Sequence, residues 1–184
     1  NNNKMFKIKL FSAFILTTFL IADIPPGYYD DAEGLDGEPL RLALHNIIDD
    51  HISQSYSSLY GHFQSTDAKY DGTVWDMYSD VPVGTLPYIY NFISADQCGN
   101  YGGEGDCFNR EHSWPKSWFN EGMPMNTDLF HIYPTDGYVN GMRSNHPYGE
   151  VVSTTWTSQN DSQRGNMNSY NHNGIVFEPI DEYK

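Results

Sequence analysis

The sequence has 184 residues, of which 39% are hydrophobic and 15% aromatic, and its formal net charge is −14. This length suits one globular domain with an appendage, and the apolar content excludes a wholly disordered chain. Because phosphate is attracted by Lys and Arg, so acidic a chain is not expected to bind nucleic acid over its general surface. A phosphate site would need a locally held cation.

The N-terminus has the pattern of an export signal. Met5 is the expected start, Lys7 and Lys9 form a basic region, and an apolar run follows at residues 10–21. This run has secretory length and is short for a membrane span. We therefore predict a signal peptide over residues 1–22, cleaved after Ala22, and a catalytic domain over residues 23–184.

A helix is predicted from about Pro39, because apolar residues recur there at spacings of three and four. This stripe predicts a core helix. An alternating segment at 73–78 and an aromatic run at 87–92 predict two short strands. The stripe consists of Leu40, Leu44, Ile47, Ile48 and Ile52.

The two cysteines, Cys98 and Cys107, flank a loop that contains four glycines. In an exported chain an even pair favours a disulfide, and two cysteines are too few for a zinc site. We predict that they are bonded to each other.

The second half combines short extended segments with one helix. Residues 108–114 and 128–133 are predicted as extended, ended by Pro115 and Pro134 respectively. A helix is predicted to begin near Thr135 as its cap and to end before Pro147. The polar stretch 153–173 is predicted to be mostly loop, with one short strand near Thr155.

Hydrolysis of a phosphodiester needs a base near neutral pH, a cation to offset charge, and ligands for that cation. Four side chains of the required chemical types stand within residues 109–145. His112 can act as base, Glu111 and Asn140 can ligate Mg²⁺ with oxygen, and Arg143 can bind phosphate.

Periodicity places these residues only in part. Asn140 and Arg143 are three apart and share a helix face. Glu111 and His112 would point to opposite sides of a regular strand, so a shared site requires a strand end or a bulge.

The residue types alone are also compatible with other roles for these side chains. Glu111 can be a surface carboxylate, His112 a packed histidine, Asn140 a surface amide and Arg143 half of a surface ion pair. Arg110 can contact phosphate or pair with an acidic neighbour.

Three ordered motifs together resemble the bacterial endonuclease I family of periplasmic or secreted nonspecific nucleases. The motifs are Asn-Arg-Glu-His at 109–112 followed by Pro115, Pro-Thr-Asp-Gly at 134–137, and Val-Asn-Gly-Met-Arg-Ser-Asn at 139–145. The resemblance implies an α+β fold with a ββα-metal (His-Me finger) nuclease core, additional helices and long loops.

The resemblance also implies roles. His112 would be the general base, and Glu111 and Asn140 would hold one Mg²⁺, for which Mn²⁺ or Ca²⁺ can substitute. The family uses an arginine on phosphate that is absent from residues 119–127 here. We assign that role to Arg143, with Arg110 as a further phosphate contact.

The implied protein is secreted or periplasmic, cuts DNA and RNA, and works as a monomer with no obligate partner and, once its signal is removed, no membrane. Members of the family continue beyond the segment that ends at Lys184 here, which predicts a domain truncated at its C-terminal end. Two other functions remain open, a secreted carbohydrate-binding module with structural Ca²⁺ and a different metal-dependent phosphoesterase.

Overall fold

The computed structural model describes residues 24–49, 52–169 and 172–184. The chain divides into two compact units, Asn1–His51 and Ile52–Lys184, and the catalytic domain predicted over residues 23–184 spans both. The predicted signal peptide lies outside the described residues. None of the helices in the described ranges combines the length and the hydropathy that a membrane span requires.

The first unit contains the helix predicted from its apolar periodicity. Helix α1 spans Gly37–Ile48, with Pro39 in its first turn. None of its residues is buried, and Leu44 and Ile48 are 36% and 59% exposed. The prediction of a core helix is therefore wrong. An amphipathic pattern specifies a helix, but burial also needs an apolar surface to pack against.

The second unit begins with helix α2, Leu59–Thr66, which supplies one side of the main core. Leu59 and Phe63 are four residues apart and fully buried, so they share one helix face. They pack in a buried cluster with Val74, Tyr90, Phe108 and Ile132.

The strands predicted at 73–78 and 87–92 do not form. Apart from an isolated antiparallel bridge between Val74 and Ala68, both segments are turns and irregular chain. They are joined by a hydrogen bond of 2.9 Å from the Val74 amide to the Tyr90 carbonyl. Their apolar side chains pack in the core although the two segments form no ladder of strand hydrogen bonds. The alternation in the sequence therefore indicates burial of side chains and not pairing of strands.

A two-stranded antiparallel sheet carries the motif residues. Strand β1 is Phe108–His112 and strand β2 is Ile132–Asp136. The register runs without a bulge from the pair Phe108 and Asp136 to the pair His112 and Ile132. The extended segment predicted at 108–114 is confirmed for 108–112, residues 113 and 114 form a bend, and His112 is at the end of its strand.

Strand β2 lies further along the chain than predicted, because Pro134 is inside it and does not end it. Proline lacks an amide hydrogen and is tolerated in a strand that has a neighbour on one side only. Strand β2 is such a strand, since its sheet has two members.

Helix α3, Gly137–Arg143, follows β2 directly. Its cap is Asp136, whose side chain accepts a hydrogen bond of 2.8 Å from the Val139 amide, and not the predicted Thr135. The helix stops at Arg143, before Pro147, because Ser144 adopts a positive φ of 54°. The order strand, strand, helix thus occupies residues 108–143 with one long connection.

The polar stretch predicted as mostly loop forms a second antiparallel sheet. Its strands are β3, Ser153–Thr157, β4, Gln163–Ser169, and β5, His172–Glu178, in the order β3-β4-β5. Strand β3 confirms the short strand predicted near Thr155. Buried Gly165 and Met167 alternate with exposed Asn166, so a period of two exists within a polar composition. With helices and antiparallel sheets, the α+β fold class is confirmed.

The predicted disulfide between Cys98 and Cys107 is present and lies against the start of α3. The amide of Gly137 donates to the Cys107 carbonyl at 2.9 Å, and the Gly105 amide donates to Asp136 Oδ2 at 2.8 Å. A Cβ atom on Gly137 would collide with Sγ of Cys98. Only glycine therefore allows the cross-linked loop to approach the helix so closely.

We expect Gly137→Ala to lower the free energy of unfolding by about 1–3 kcal/mol, because the bonded sulfur cannot move away from the new methyl group. Gly141→Ala is the matched control in the same helix. Its Cβ would stand 3.2 Å from the hydroxyl of Tyr101, the far end of a flexible side chain, and alanine favours the helix by up to about 1 kcal/mol. Urea unfolding of both variants measures the difference, and equal losses would contradict this packing.

Candidate active site

One face of β1 is directed at helix α3. Asn109 and Glu111, two residues apart on the strand, contact Asn140 and Arg143, three residues apart on the helix. The Asn140 amide group donates to Asn109 Oδ1 at 2.7 Å and to the backbone carbonyl of Arg110 at 3.4 Å. The structure thus brings Glu111 and Asn140 to the same junction of strand and helix.

The carboxylate of Glu111 is buried and held from several sides. The residue is 2% exposed, and its Oε1 accepts from the Tyr78 hydroxyl at 2.8 Å and pairs with Arg143 Nη1 at 2.9 Å. Burial raises the pKa of Glu111 to about 7, although Arg143 and the hydroxyls of Tyr78 and Tyr148 oppose the rise. A bound cation would favour the ionised form of this group.

Arg143 is 1% exposed, and its guanidinium points into the protein. Besides Glu111, Arg143 donates to the backbone carbonyls of His112 at 2.9 Å and Ser113 at 2.6 Å, and lies 4.8 Å from the ring centre of Tyr148. This geometry disfavours the predicted contact with phosphate. Arg143 instead fixes the end of β1 and the Glu111 carboxylate to α3.

His112 occupies the other face of the strand, as regular alternation requires, and it is the last residue of that strand. Its ring stacks on Tyr56 with centres 6.2 Å apart and planes 16° apart, and it also contacts Phe119 and His131. Burial lowers the pKa of His112 to about 4, so the imidazole is neutral near pH 7.

A backbone carbonyl orients this imidazole. His112 Nε2 is 3.3 Å from the carbonyl oxygen of Asn126. A carbonyl oxygen can only accept, so the facing ring nitrogen carries the hydrogen, and the other nitrogen is the one that can take up a proton.

Arg110 is on the His112 face but is directed at aromatic rings. Its guanidinium carbon lies 3.9 Å and 4.4 Å from the ring centres of Tyr56 and Tyr60, and Nη1 donates to the Tyr56 carbonyl at 2.9 Å. These contacts also disfavour the predicted role of Arg110 on phosphate.

Several site residues were not predicted from sequence. Asn109 could have been, because its spacing of two from Glu111 places both side chains on one strand face. Tyr78 lies in a turn, Tyr148 in an isolated bridge and Asn126 in a single 3₁₀ turn. These elements are too short for a periodic pattern to indicate what a side chain contacts.

The oxygen donors of Glu111 and Asn140 fit a hard cation that takes few ligands from the protein. Among the described residues, no group of three or more His, Cys, Asp or Glu side chains is placed to hold a metal. One carboxylate, Glu111, and one amide oxygen, Asn140, leave the remaining positions to water and substrate. Mg²⁺ accepts such an arrangement because it binds oxygen and retains several waters.

A cavity of about 570 Å³ is lined by Tyr148, Trp75, Glu150, Glu178 and Lys184, among others. Both of these carboxylates pair with Lys184, at 3.5 Å and 2.5 Å. The cavity contains neither His112 nor Asn140, so it does not include the predicted base or the predicted amide ligand.

Comparison with known proteins identifies the family. The endonuclease I family matches residues 36–184, and the chain belongs to that family. It is 31% identical over 159 residues to an extracellular ribonuclease of Bacillus amyloliquefaciens, covering 85% of this chain and 48% of the relative. It is 33% identical over 120 residues to an extracellular ribonuclease of Bacillus subtilis (strain 168), covering 64% of this chain and 38% of the relative.

The chain thus spans half the length, or less, of these curated relatives. No solved structure matches it significantly.

We expect the imidazole of His112 to titrate far below the ordinary histidine value, with its midpoint near pH 4. Phe119→Ala should raise this midpoint towards about 6.5, because removing the ring admits water that stabilises the charged form. NMR titration of the histidine ring protons measures both. A parent midpoint near 6.5, or an unchanged midpoint in Phe119→Ala, would contradict the burial argument.

Proposed function

We propose that this protein is a secreted, Mg²⁺-dependent endonuclease that hydrolyses phosphodiester bonds in DNA and RNA with little base preference. The observation that carries the proposal is that Glu111 and Asn140 both lie at the contact between β1 and α3, where Arg143 also binds the backbone of His112. Membership of the endonuclease I family supports it.

The succession β1, β2, α3 supports a ββα-metal core. In this interpretation His112 ends the first strand, β2 returns beside it, and Asn140 projects from the helix that follows. The proposed substrate phosphate lies across the strand end, between the imidazole and the two oxygen ligands.

We assign Glu111 Oε2 and Asn140 Oδ1 to the cation. Glu111 Oε1 already receives the Tyr78 hydroxyl and Arg143, and the Asn140 Nδ2 group is engaged with β1. Both assigned atoms are oxygens of the kind Mg²⁺ prefers. When bound, the ion supplies positive charge that offsets the negative charge on the phosphate and on the departing oxygen.

His112 acts as the general base. The Asn126 carbonyl holds the protonated ring nitrogen, so the opposite nitrogen accepts a proton from water as the water oxygen bonds to phosphorus. The bond from phosphorus to the departing oxygen breaks, and that oxygen takes a proton from solvent. Arg143 is a positioning residue, because it ties the backbone of His112 to α3.

The names of the relatives bear on substrate and location. Both are called extracellular ribonucleases, which supports RNA as a substrate and export as the fate of this chain. The disulfide between Cys98 and Cys107 fits an oxidising compartment. An acidic chain of net charge −14 then depends on the cation, and not on its general surface, to hold phosphate.

With plasmid DNA and a homogeneous RNA as substrates, we expect His112→Ala to lower the rate about 10²–10⁴-fold, the contribution of a general base. His45→Ala, at an exposed position of α1, is the matched control and should retain the parent rate. EDTA should reduce activity at least as much as His112→Ala does, because the base alone supplies a small part of the acceleration.

Substantial hydrolysis in EDTA, or equal rates for His112→Ala and the parent, would refute this mechanism. Cleavage of a phosphate monoester in preference to either polymer would favour a different phosphoesterase.

A further inference from the structure

Two large aromatic side chains are exposed immediately after His112. Trp114 and Trp118 are 53% and 48% exposed, their ring centres are 5.1 Å apart, and their planes are perpendicular. Tryptophan side chains are on average largely buried in proteins. Two half-exposed indoles in contact with each other therefore indicate a surface that binds a ligand.

The backbone gives these rings a fixed support. Pro115 precedes a 3₁₀ turn, Lys116–Trp118, and its carbonyl accepts the Trp118 amide at 2.9 Å. Ser113 is anchored on the other side, since its amide and its hydroxyl both donate to the His131 carbonyl, at 3.0 Å and 3.1 Å. The two indoles are therefore held within a few residues of the proposed base.

A cation accompanies the rings. Lys116 lies between the tryptophans in sequence, its side chain is 39% exposed, and its Nζ is 5.7 Å from the ring centre of Tyr56. Tyr56 is the ring that stacks on His112. Lys116 thus stands beside the imidazole, with Nζ 3.3 Å from the exposed carboxylate of Glu121.

The other two basic residues of this site are directed elsewhere. Arg110 lies against Tyr56 and Tyr60, and Arg143 is buried against Glu111. Lys116 is partly exposed, and its ion-pair partner Glu121 is exposed as well. A phosphate group that approaches His112 from solvent can therefore displace the Glu121 carboxylate and bind Lys116.

Aromatic faces beside a cation bind unpaired nucleotides, since every base has a face that can stack and every nucleotide carries a phosphate. In a duplex the base faces stack on neighbouring bases, so aromatic side chains of a protein cannot stack on them. Neither a protein partner nor a membrane explains why the cation and the rings adjoin the proposed base.

We propose that Trp114, Lys116 and Trp118 form a platform that binds the unpaired nucleotides next to the scissile phosphate, so that single-stranded nucleic acid is the preferred substrate. This inference rests on the proposed function for its biological meaning. Its binding test needs no cleavage.

The test measures binding of the full chain in EDTA, by fluorescence anisotropy, to a labelled oligo-dT strand, an unstructured RNA and a duplex hairpin. The parent should bind both single strands more tightly than the hairpin. Trp114→Ala and Trp118→Ala should each weaken single-strand binding about tenfold, within the range known for base stacking. Tyr70→Ala, at a fully exposed aromatic residue, is the matched control and should bind as the parent does.

Replacement of both tryptophans by phenylalanine should preserve most of the affinity, because an aromatic face for stacking remains. This variant also controls for misfolding of the alanine variants. Lys116→Gln should lower the slope of log affinity against log salt by about 0.7, the value for one phosphate contact on a single strand, and Lys116→Arg should retain it. Glu121→Gln should tighten binding, since it removes a competing carboxylate.

Equal affinity of the parent for hairpin and single strands would overturn the proposal. So would alanine variants that bind like Tyr70→Ala, or that lose duplex and single-strand binding equally. Absence of hydrolysis in Mg²⁺ with single-strand binding intact would refute the proposed nuclease while leaving the platform in place.

Discussion

The buried ion pair between Glu111 and Arg143 is the interaction on which the site depends. Two ionisable groups, each at most 3% exposed, are 2.9 Å apart, and removing either one would leave the other buried without its partner. Arg143 also binds the carbonyls of His112 and Ser113, so one side chain fixes β1 to α3. The helix that carries Asn140 is thereby held at a defined distance from the strand that carries the proposed base, His112.

Burial acts on the acid and the base in opposite directions. It raises the pKa of Glu111 to about 7 and lowers the pKa of His112 to about 4, because in each case the charged form loses water. A divalent ion at this site would favour the ionised carboxylate of Glu111, while the neutral imidazole of His112 stays able to accept a proton.

Sequence reasoning succeeded where residues act locally and failed where packing between distant segments decides. Strand β1, the helix around Asn140 and the disulfide follow from the local residue pattern and from the number of cysteines. In the sheet at 153–178 only the strand near Thr155 was predicted, and β4 was missed because its buried positions include Gly165, whose lack of a side chain hides the alternation. The true cap, Asp136, and the buried role of Arg143 depend on partners that sequence spacing does not reveal.

The most direct test of the account is cation binding itself, measured with Mn²⁺ by electron paramagnetic resonance in the absence of substrate. We expect the parent to bind one ion, and Glu111→Gln and Asn140→Ala each to weaken it at least about tenfold, since loss of an outer partner alone costs that much at metal sites. His112→Ala, which removes the base and no ligand, should bind as the parent does. Unchanged Mn²⁺ affinity in both ligand variants would contradict the placement of the cation between β1 and α3.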